Sequence, residues 1–535
     1  MPTDDQRRER SRRVVPLEGT ALAVVLAVAL VLRLWNLSFG LPDWYHPDEP
    51  LKAREVSRMA GGDLHPSYLY HPTFMHYASA AVLRLQYAVG GVPLGEQEAV
   101  RVGRVVVAAM GTGTVLLTYV LGRVVGGGFV AVVAAALLAV APLHVVCSHY
   151  LKEDVPMTFW AVATVLASLR IVSRGRTRDY FLAGLLAGLT AGTKYIGILF
   201  VGVPWLAHRE RPAVPEAAEA APRRTIPPLV RVALAGAVAG FLLTTPYALL
   251  DWWRFGEGVG HTGGNVLTGM ADIAIMPLPY LWTFHFWRSI VPGLGLVPTL
   301  LALGGFVIAL RRREPAARLL TTVVFVLYTV VESSPYKPPP NAERHVVPLL
   351  PFLSILCAQM LLVLEERMTV RWPRAAHAAL GLVLAATIGF PLADTVALDR
   401  AMAADTREAA RDWLVAHACG NGRILLEGAL SVHDDTVPSY VARLPDTCAA
   451  TYTYSLVRNR AELENYDFLV ATSFMYDRFL ELAAAPPDMR HFYEEFFASH
   501  QPVAEFTPAY RSYGFHNPTI RIYANSRQSA VGSRQ

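Results

Sequence analysis

Long apolar blocks, several reaching the ~18 residues that span a bilayer, decide most of what this chain can become. The clearest are Val102 to Leu121, Phe129 to Val146, Val155 to Ile171, Ile290 to Leu310, His345 to Leu364 and Ala375 to Val396. A soluble domain of 535 residues would interrupt such blocks with polar faces. Charged residues make up 17% of the chain, against roughly 25% in soluble domains, and mean hydropathy is +0.33. The fold class expected is therefore a polytopic α-helical membrane protein. The basic N-terminus MPTDDQRRERSRR precedes an apolar run from Thr20 to Leu34 with no small-residue cleavage site behind it, so that run reads as a retained signal anchor.

Positive charge sets the orientation. With residues 1–18 cytoplasmic, the first span exits and residues 38–100 form an outer loop. Val102 to Leu121 returns to Arg123, Phe129 to Val146 exits, and Val155 to Ile171 returns to the cluster Arg170, Arg174, Arg176 and Arg178. Tyr180 to Leu206 must go out and back to the loop holding Arg209, Arg211, Arg223 and Arg224, which needs a break near Gly192-Thr193. Val232 to Leu249 exits, Ile290 to Leu310 returns to Arg311-Arg312-Arg313, and Leu319 to Val331 exits. His345 to Leu364 returns to Arg367, Arg371 and Arg374, and Ala375 to Val396 exits. This walk gives roughly eleven spans over residues 19–397. It requires Thr73 to Val89 to lie along the outer interface, because a crossing there would put the Arg170 to Arg178 cluster outside.

Residues 398–535 differ in kind. Asp405-Thr406 opens a helix carrying Ala409, Trp413 and Leu414. Arg423 to Glu427, Tyr466 to Ala471 and Thr519 to Tyr523 read as strands, with Met489 to Ser499 helical. A small extracytoplasmic α/β domain of roughly 130 residues is expected. Of four cysteines, Cys147 and Cys357 sit beside apolar blocks, while Cys419 and Cys448 are placed to pair if this domain faces an oxidising compartment.

The chemistry-bearing residues gather in the outer loops. Trp44-Tyr45-His46-Pro47-Asp48-Glu49-Pro50 sets two acids just past a span, where a carboxylate can act as a general base. Taken alone, the pair also fits a solvated loop with Asp48 as a helix cap. Ser148-His149-Tyr150-Leu151-Lys152-Glu153-Asp154 packs ionisable groups between two apolar blocks, which is expensive and marks a site. A snorkelling Lys152 in an interfacial belt is the plainer account. His71, Lys194-Tyr195, Arg288 and Arg344-His345 bring further cationic or polar groups to the same side. Each alone suits a headgroup anchor, but a lipid-linked phosphate needs several together. Trp252, Trp253, Trp282 and Trp287 suit an aromatic belt.

In this order, Asp48-Glu49, Tyr70-His71-Pro72, Arg101 to Gly122, Asp154-Val155-Pro156-Met157-Thr158-Phe159, Gly184 to Phe200 and Arg344-His345-Val346-Val347-Pro348-Leu349-Leu350-Pro351 resemble the polytopic glycosyltransferases of the protein O-mannosyltransferase and aminoarabinose-lipid A transferase type, which share the GT-C fold. The resemblance covers about the first two-thirds of the chain. It implies a polyprenyl-phosphate sugar as donor, with Asp48 as the base on the acceptor, Asp154 as a second site carboxylate, and His71 and Arg344 on the donor phosphate. His71 stands where some relatives carry Lys, and His345 where some carry Tyr.

The expectation carried forward is a multi-pass cell-membrane enzyme that moves a hexose or pentose from a lipid-phosphate donor to an acceptor hydroxyl, on a glycan, lipid or protein, with inversion. The site expected comprises Asp48, Glu49 and Asp154 as acids. His71, Lys152, Lys194, Arg288, Arg344 and His345 face the phosphate, and His46, His149 and Tyr195 face the sugars. Asp48 and Asp154 are the positions for a divalent cation, if one is used. No glycine-rich phosphate loop is present, and no nucleic-acid partner is expected. The rival reading is a transporter or flippase, whose site would sit near the bilayer midplane between repeated halves. A non-catalytic assembly factor would account for the tail but not for the converging charges.

Overall fold

The computed structural model describes every residue except 1–3, 212–225, 269–281, 336, 338–341, 372–374, 433–434, 439–441, 482–484, 511–513 and 526–535. Arg223, Arg224 and Arg374 of the expected inner loops therefore lie outside the described residues.

The anchor is helix α1 (Asp4–Leu34), followed by α2 (Glu49–Ala60) and α3 (Phe74–Gly90) in the first loop. Helix α4 (Glu96–Ala139) is interrupted at Gly127, where φ is +81°. A Cβ added to Gly122 would lie 3.0 Å from the Cα of Ala131, so the arm after Gly127 doubles back on the arm before it. The two apolar blocks expected on either side of Arg123 are these two arms. At the turn, Tyr119 donates to Glu18 of α1 at 2.6 Å and Arg123 pairs with the same carboxylate. At the opposite end, Arg33 is fully buried and donates to the carbonyls of Leu138 and Ala139 at 3.1 and 3.0 Å. It satisfies last-turn acceptors that the helix itself leaves open.

Next come α5 (Pro142–Cys147), α6 (Asp154–Ser173) and α7 (Thr177–Ala191). The expected break falls where it was placed, at Gly192. A tight 3-10 segment, Tyr195–Gly202, and α8 (Val203–Arg209) return alongside. Helix α9 (Pro228–Thr244) packs on α7 backbone to backbone. Cβ atoms at Gly184 and Gly188 would sit 1.9 and 2.1 Å from the carbonyls of Ala233 and Ala237, and one at Gly240 would sit 2.2 Å from that of Leu185. Only glycine permits this approach, the small-residue device of helix pairs in lipid.

The rest of the helical body is α10 (Tyr247–Leu250), α11 (Trp252–Thr268), α12 (Val291–Leu294), α13 (Leu296–Arg311), α14 (Pro315–Ser333), a 3-10 segment Ala342–Leu349, α15 (Leu350–Arg371) and α16 (Ala376–Met402). The chain bends by 107° between α12 and α13, at Gly295 with φ +99°. Among the described residues, five helices are long and apolar enough to cross a membrane, or six if that bent pair is one span. This is fewer than the walk along the sequence gives. Helix α4 counts once although it doubles back, and α7, α9 and α13, with 15, 17 and 16 residues, are each too short to count singly.

After α17 (Thr406–His417) the chain builds strands β1 (Ile424–Glu427), β2 (Ala429–Val432), β3 (Asp435–Pro438), β4 (Ala450–Thr453) and β5 (Phe468–Thr472). Then follow α18 (Ser473–Leu480), α19 (Pro487–Ser499), β6 (Ala504–Phe506) and β7 (Ile520–Ala524). The main sheet runs β4-β1-β5-β7-β6, parallel across the first three and antiparallel across the last two pairs; β2 and β3 form a separate hairpin. Side chains alternate as strand geometry demands. Ile424, Leu426, Phe468 and Val470 pack toward α17, while Leu425, Leu469 and Ala471 pack toward α18 and α19. Asp405 caps α17 by accepting from the Arg407 amide at 3.0 Å. The three predicted strands correspond to β1, β5 and β7; β2, β3, β4 and β6 were too short and irregular in pattern to stand out. Cys419 and Cys448 form a disulfide.

Candidate active site

Four sequence segments deliver charge to one place. Asp48 immediately precedes α2, without a side-chain cap bond, and Lys52 follows one turn later. Lys152 and Glu153 lead into α6, which Asp154 opens. Lys194 follows the break at the end of α7, and Arg344 lies on the segment Ala342–Leu349.

These side chains form one alternating chain of charges. Lys52 pairs with Glu153, whose other oxygen lies 3.7 Å from Lys152. Lys152 donates to Asp48 at 2.5 Å. Arg344 lies 3.6 Å from Asp48 and 3.7 Å from Asp154, bridging the acids of the two loops. Lys194 ends the chain, donating to Asp154 at 2.5 Å. Cations stand at both ends, so the four of them outnumber the three carboxylates by one. Such dense charge away from water is tolerable only because each group has an opposite neighbour.

The acids are not equivalent. The side chain of Asp48 is 38% exposed, whereas those of Asp154, Glu153 and Glu49 are 2%, 1% and 0% exposed. Burial alone would raise the Asp48 carboxyl, but the permanent cations Lys152 and Arg344 outweigh it and hold it well below the usual carboxylate range. Burial likewise opposes ionisation of Glu153, and Lys52 and Lys152 reverse the balance. His46 and His71 are driven the other way by burial, with Lys152 adding to the effect at His46 and Lys52 at His71, so both rings stay neutral. A cavity opens on this cluster, lined by His46, Lys152, Asp154, Glu343 and Arg344 together with Leu143, Val146, Cys147, Tyr150, Gly514 and Phe515.

The remaining expected residues have other settings. Glu49 turns inward and takes a two-pronged bond from Arg104 at 2.9 and 2.6 Å while accepting from the Leu151 amide at 2.8 Å. Arg104 also holds the carbonyls of Leu37 and Phe39. Glu49 thus ties the two loops together from beneath. His149 is buried, with its ring nitrogens on the carbonyls of Val145 and Trp35 at 2.9 and 2.8 Å, turned away from the cluster. Tyr195 donates to the Leu69 carbonyl at 2.7 Å and anchors the segment leading to His71. Arg288 pairs with Glu481 at the end of α18, and His345 meets His285 at a ring distance of 6.3 Å. His71 lies within the electrostatic reach of Lys52, Glu153, Lys152 and Asp48. His46 accepts from the Asp48 amide at 3.2 Å and so shapes the turn that presents that carboxylate. Trp252, Trp253, Trp282 and Trp287 are all more than half exposed, as a belt requires.

Lys52, Glu153, Arg104 and Glu343 are the members that reading the sequence did not single out. Lys52 follows Asp48 by four residues, the spacing that stacks side chains on one helix face. Arg104, a charge inside an apolar block, was the strongest unused signal.

The acids do not suit a divalent cation. Asp48 and Asp154 are occupied by Lys152, Arg344 and Lys194, and the chain of charges is already positive on balance. Among the described residues no group of three or more His, Cys, Asp or Glu is arranged to hold a metal.

Comparison with known proteins agrees with this architecture. Residues 79–208, which include Lys152, Asp154 and Lys194, match the family model of dolichyl-phosphate-mannose-protein mannosyltransferase. The solved structure of ArnT from Cupriavidus metallidurans bound to undecaprenyl phosphate is similar with a TM-score of 0.52 and 15% identity, over 94% of this chain and 98% of that one. The oligosaccharyltransferase AglB from Archaeoglobus fulgidus, in complex with an inhibitory peptide and a dolichol-phosphate, is similar with a TM-score of 0.54 and 11% identity, over 88% of this chain and 72% of that one. No curated protein matches the sequence significantly. At these identities the likeness to solved structures is one of fold. The chain is a helical membrane protein whose fold is similar to the GT-C fold of these solved structures, and residues 79–208 match the mannosyltransferase family model.

Proposed function

We propose that this protein transfers a sugar from a polyprenyl-phosphate carrier to an acceptor hydroxyl at the outer face of the cell membrane, with Asp48 as general base and inversion at the anomeric carbon. The observation that carries the reading is the bridge from Asp48 through Arg344 to Asp154, with lysines on both flanks. The relatives bound to undecaprenyl phosphate and dolichol-phosphate support the donor class.

The chemistry follows from the charges. A donor phosphodiester brings one negative charge to a cluster with one positive charge to spare, and Arg344, Lys152 and Lys194 are its partners. As they turn to the phosphate, Asp48 loses the cations that keep it a weak base. Its carboxylate then takes the acceptor proton while the acceptor oxygen bonds to the anomeric carbon. The bond from that carbon to the phosphate oxygen breaks on the opposite face, and the same cations stabilise the departing phosphate. Asp154 holds Arg344 and Lys194 in place. Glu49 acts on the fold, and His71 borders the phosphate site as a neutral donor.

This reading takes the eleven-span topology, with the N-terminus cytoplasmic and residues 398–535 extracytoplasmic. Support comes from the disulfide, which suits an oxidising compartment, and from the clustering of Arg123 with Glu18 and of Arg318 with Glu210. The test is transfer of labelled sugar from synthetic undecaprenyl-phosphate donors by purified protein. Arg344→Ala should abolish it. Sugar transfer unaffected by that change would end the proposal.

A further inference from the structure

The cavity wall facing the charges comes partly from the far end of the sequence. Phe515 is 3% exposed and borders the cavity with His46 and Tyr150. Its ring meets His46 nearly edge-on at 4.6 Å and Phe474 at 6.0 Å, and His46 in turn meets Tyr150 at 4.7 Å. The turn that presents Phe515 is clamped. Arg407 donates to the Phe515 carbonyl at 2.8 Å, and the Phe515 amide donates to the Tyr150 hydroxyl at 3.3 Å. Two residues on, Asn517 holds a left-handed φ of +50°, with its amide on Asp405 at 2.9 Å and its side chain on the Ala401 carbonyl at 2.6 Å. Arg407 is itself paired with Asp405 at 2.7 Å and lies 3.7 Å over the ring of Tyr45, the residue before His46.

This is costly construction for a loop that merely covers a hydrophobic patch. Asn takes a left-handed φ more readily than other non-glycine residues, and its bonds to Asp405 and Ala401 fix it there. The cavity is lined both by the ion-paired Lys152, Asp154 and Arg344 and by an aromatic ring, Leu143, Val146 and Cys147. A sugar ring has the matching character, with hydroxyls at its rim and C–H bonds on its face.

We infer that Phe515 binds the donor sugar, its ring packing under the C–H face of the saccharide, so that the C-terminal segment is an integral part of the sugar subsite. The inference rests on the donor class proposed above. Arg344 and Lys152, the proposed phosphate partners, line the same cavity as Phe515, so a sugar carried on that phosphate reaches the space that Phe515 borders.

The test uses the full-length protein in nanodiscs, with bare undecaprenyl phosphate and the same lipid carrying mannose, glucose or arabinose. The wild type should hold one glycosylated lipid more tightly than the bare lipid, by about three- to tenfold for one aromatic contact. Phe515→Leu and Phe515→Ala should bring that ratio close to one and raise KM, with bare-lipid affinity unchanged; Phe515→Tyr should preserve it. The inference is overturned if Leu serves as well as Phe, if the variants lose bare and glycosylated lipid in parallel, or if the wild type does not discriminate. A wild type that binds no polyprenyl phosphate at all overturns the proposed function instead, and this inference with it.

Discussion

Replacing Asp48 with Asn should make the protein bind its carrier lipid better and use it far worse. In the donor-free site the Asp48 carboxylate holds Lys152 at 2.5 Å and Arg344 at 3.6 Å. Two unit charges 4 Å apart near a protein surface interact by about 4 kcal/mol before desolvation and screening are counted. Asp48 is 38% exposed, so the usable part is smaller, roughly 1 to 2 kcal/mol for the two contacts together. Asn removes that competition at constant shape, and it breaks no cap, because the Asp48 side chain makes no cap bond to α2. Bare undecaprenyl phosphate should then bind about 5- to 30-fold more tightly. Loss of the base should cost about 100- to 10,000-fold in kcat. Binding would be read by fluorescence competition in nanodiscs, and chemistry by single-turnover transfer. Parallel losses in binding and turnover would mean that Asp48 is a structural residue, and near-parental turnover would mean that the base lies elsewhere.

The same logic predicts a split pH dependence. Cations depress Asp48 in the free protein and turn to phosphate in the complex, so the acidic limb of kcat should lie at higher pH than that of kcat/KM; coincident limbs would contradict the exchange of partners. Glu49→Gln should leave Arg104 buried without a counter-charge and cost about 3 to 5 kcal/mol of stability, seen as a lower unfolding midpoint in detergent. Activity lost at unchanged stability would return Glu49 to the chemistry. Gly188→Leu would force a side chain into the Ala237 carbonyl, 2.1 Å from the Cβ position, and should separate α7 from α9 at a cost of about 1 to 3 kcal/mol or more; a variant as heat-stable as its parent would refute that packing.

Much of the site was legible because charge at the edge of an apolar block is expensive and therefore noticeable. That rule found Asp48, Lys152, Asp154, Lys194 and Arg344, and the required break at Gly192 followed from counting charged loops. Orientation was not legible. Asp48 and Glu49 are neighbours of the same chemical type, but successive residues on a helix point about 100° apart. One meets Lys152 and Arg344 and the other meets Arg104. His149 and Lys152 part in the same way within one loop. Arg288 looked like a phosphate ligand because its partner Glu481 lies 193 residues away. Phe515 carried no local signal at all: Arg407, His46 and Tyr150 meet it from three separate parts of the chain.

Why the site contains so many acids follows from the cost of leaving it empty. Four cations gathered to grip a phosphate would repel one another and unbalance the membrane-side fold whenever the donor is absent. Asp48, Glu153 and Asp154 interleave with them and keep the donor-free state near neutrality. Two of these acids are sealed from solvent and stay with their lysines, while Asp48 alone remains accessible. On the mechanism proposed above, an arriving phosphodiester has one carboxylate to displace, and the displaced group is the proposed base. Counter-charge in the resting state and base in the reactive state would then be a single residue, with donor binding as the event that converts one into the other.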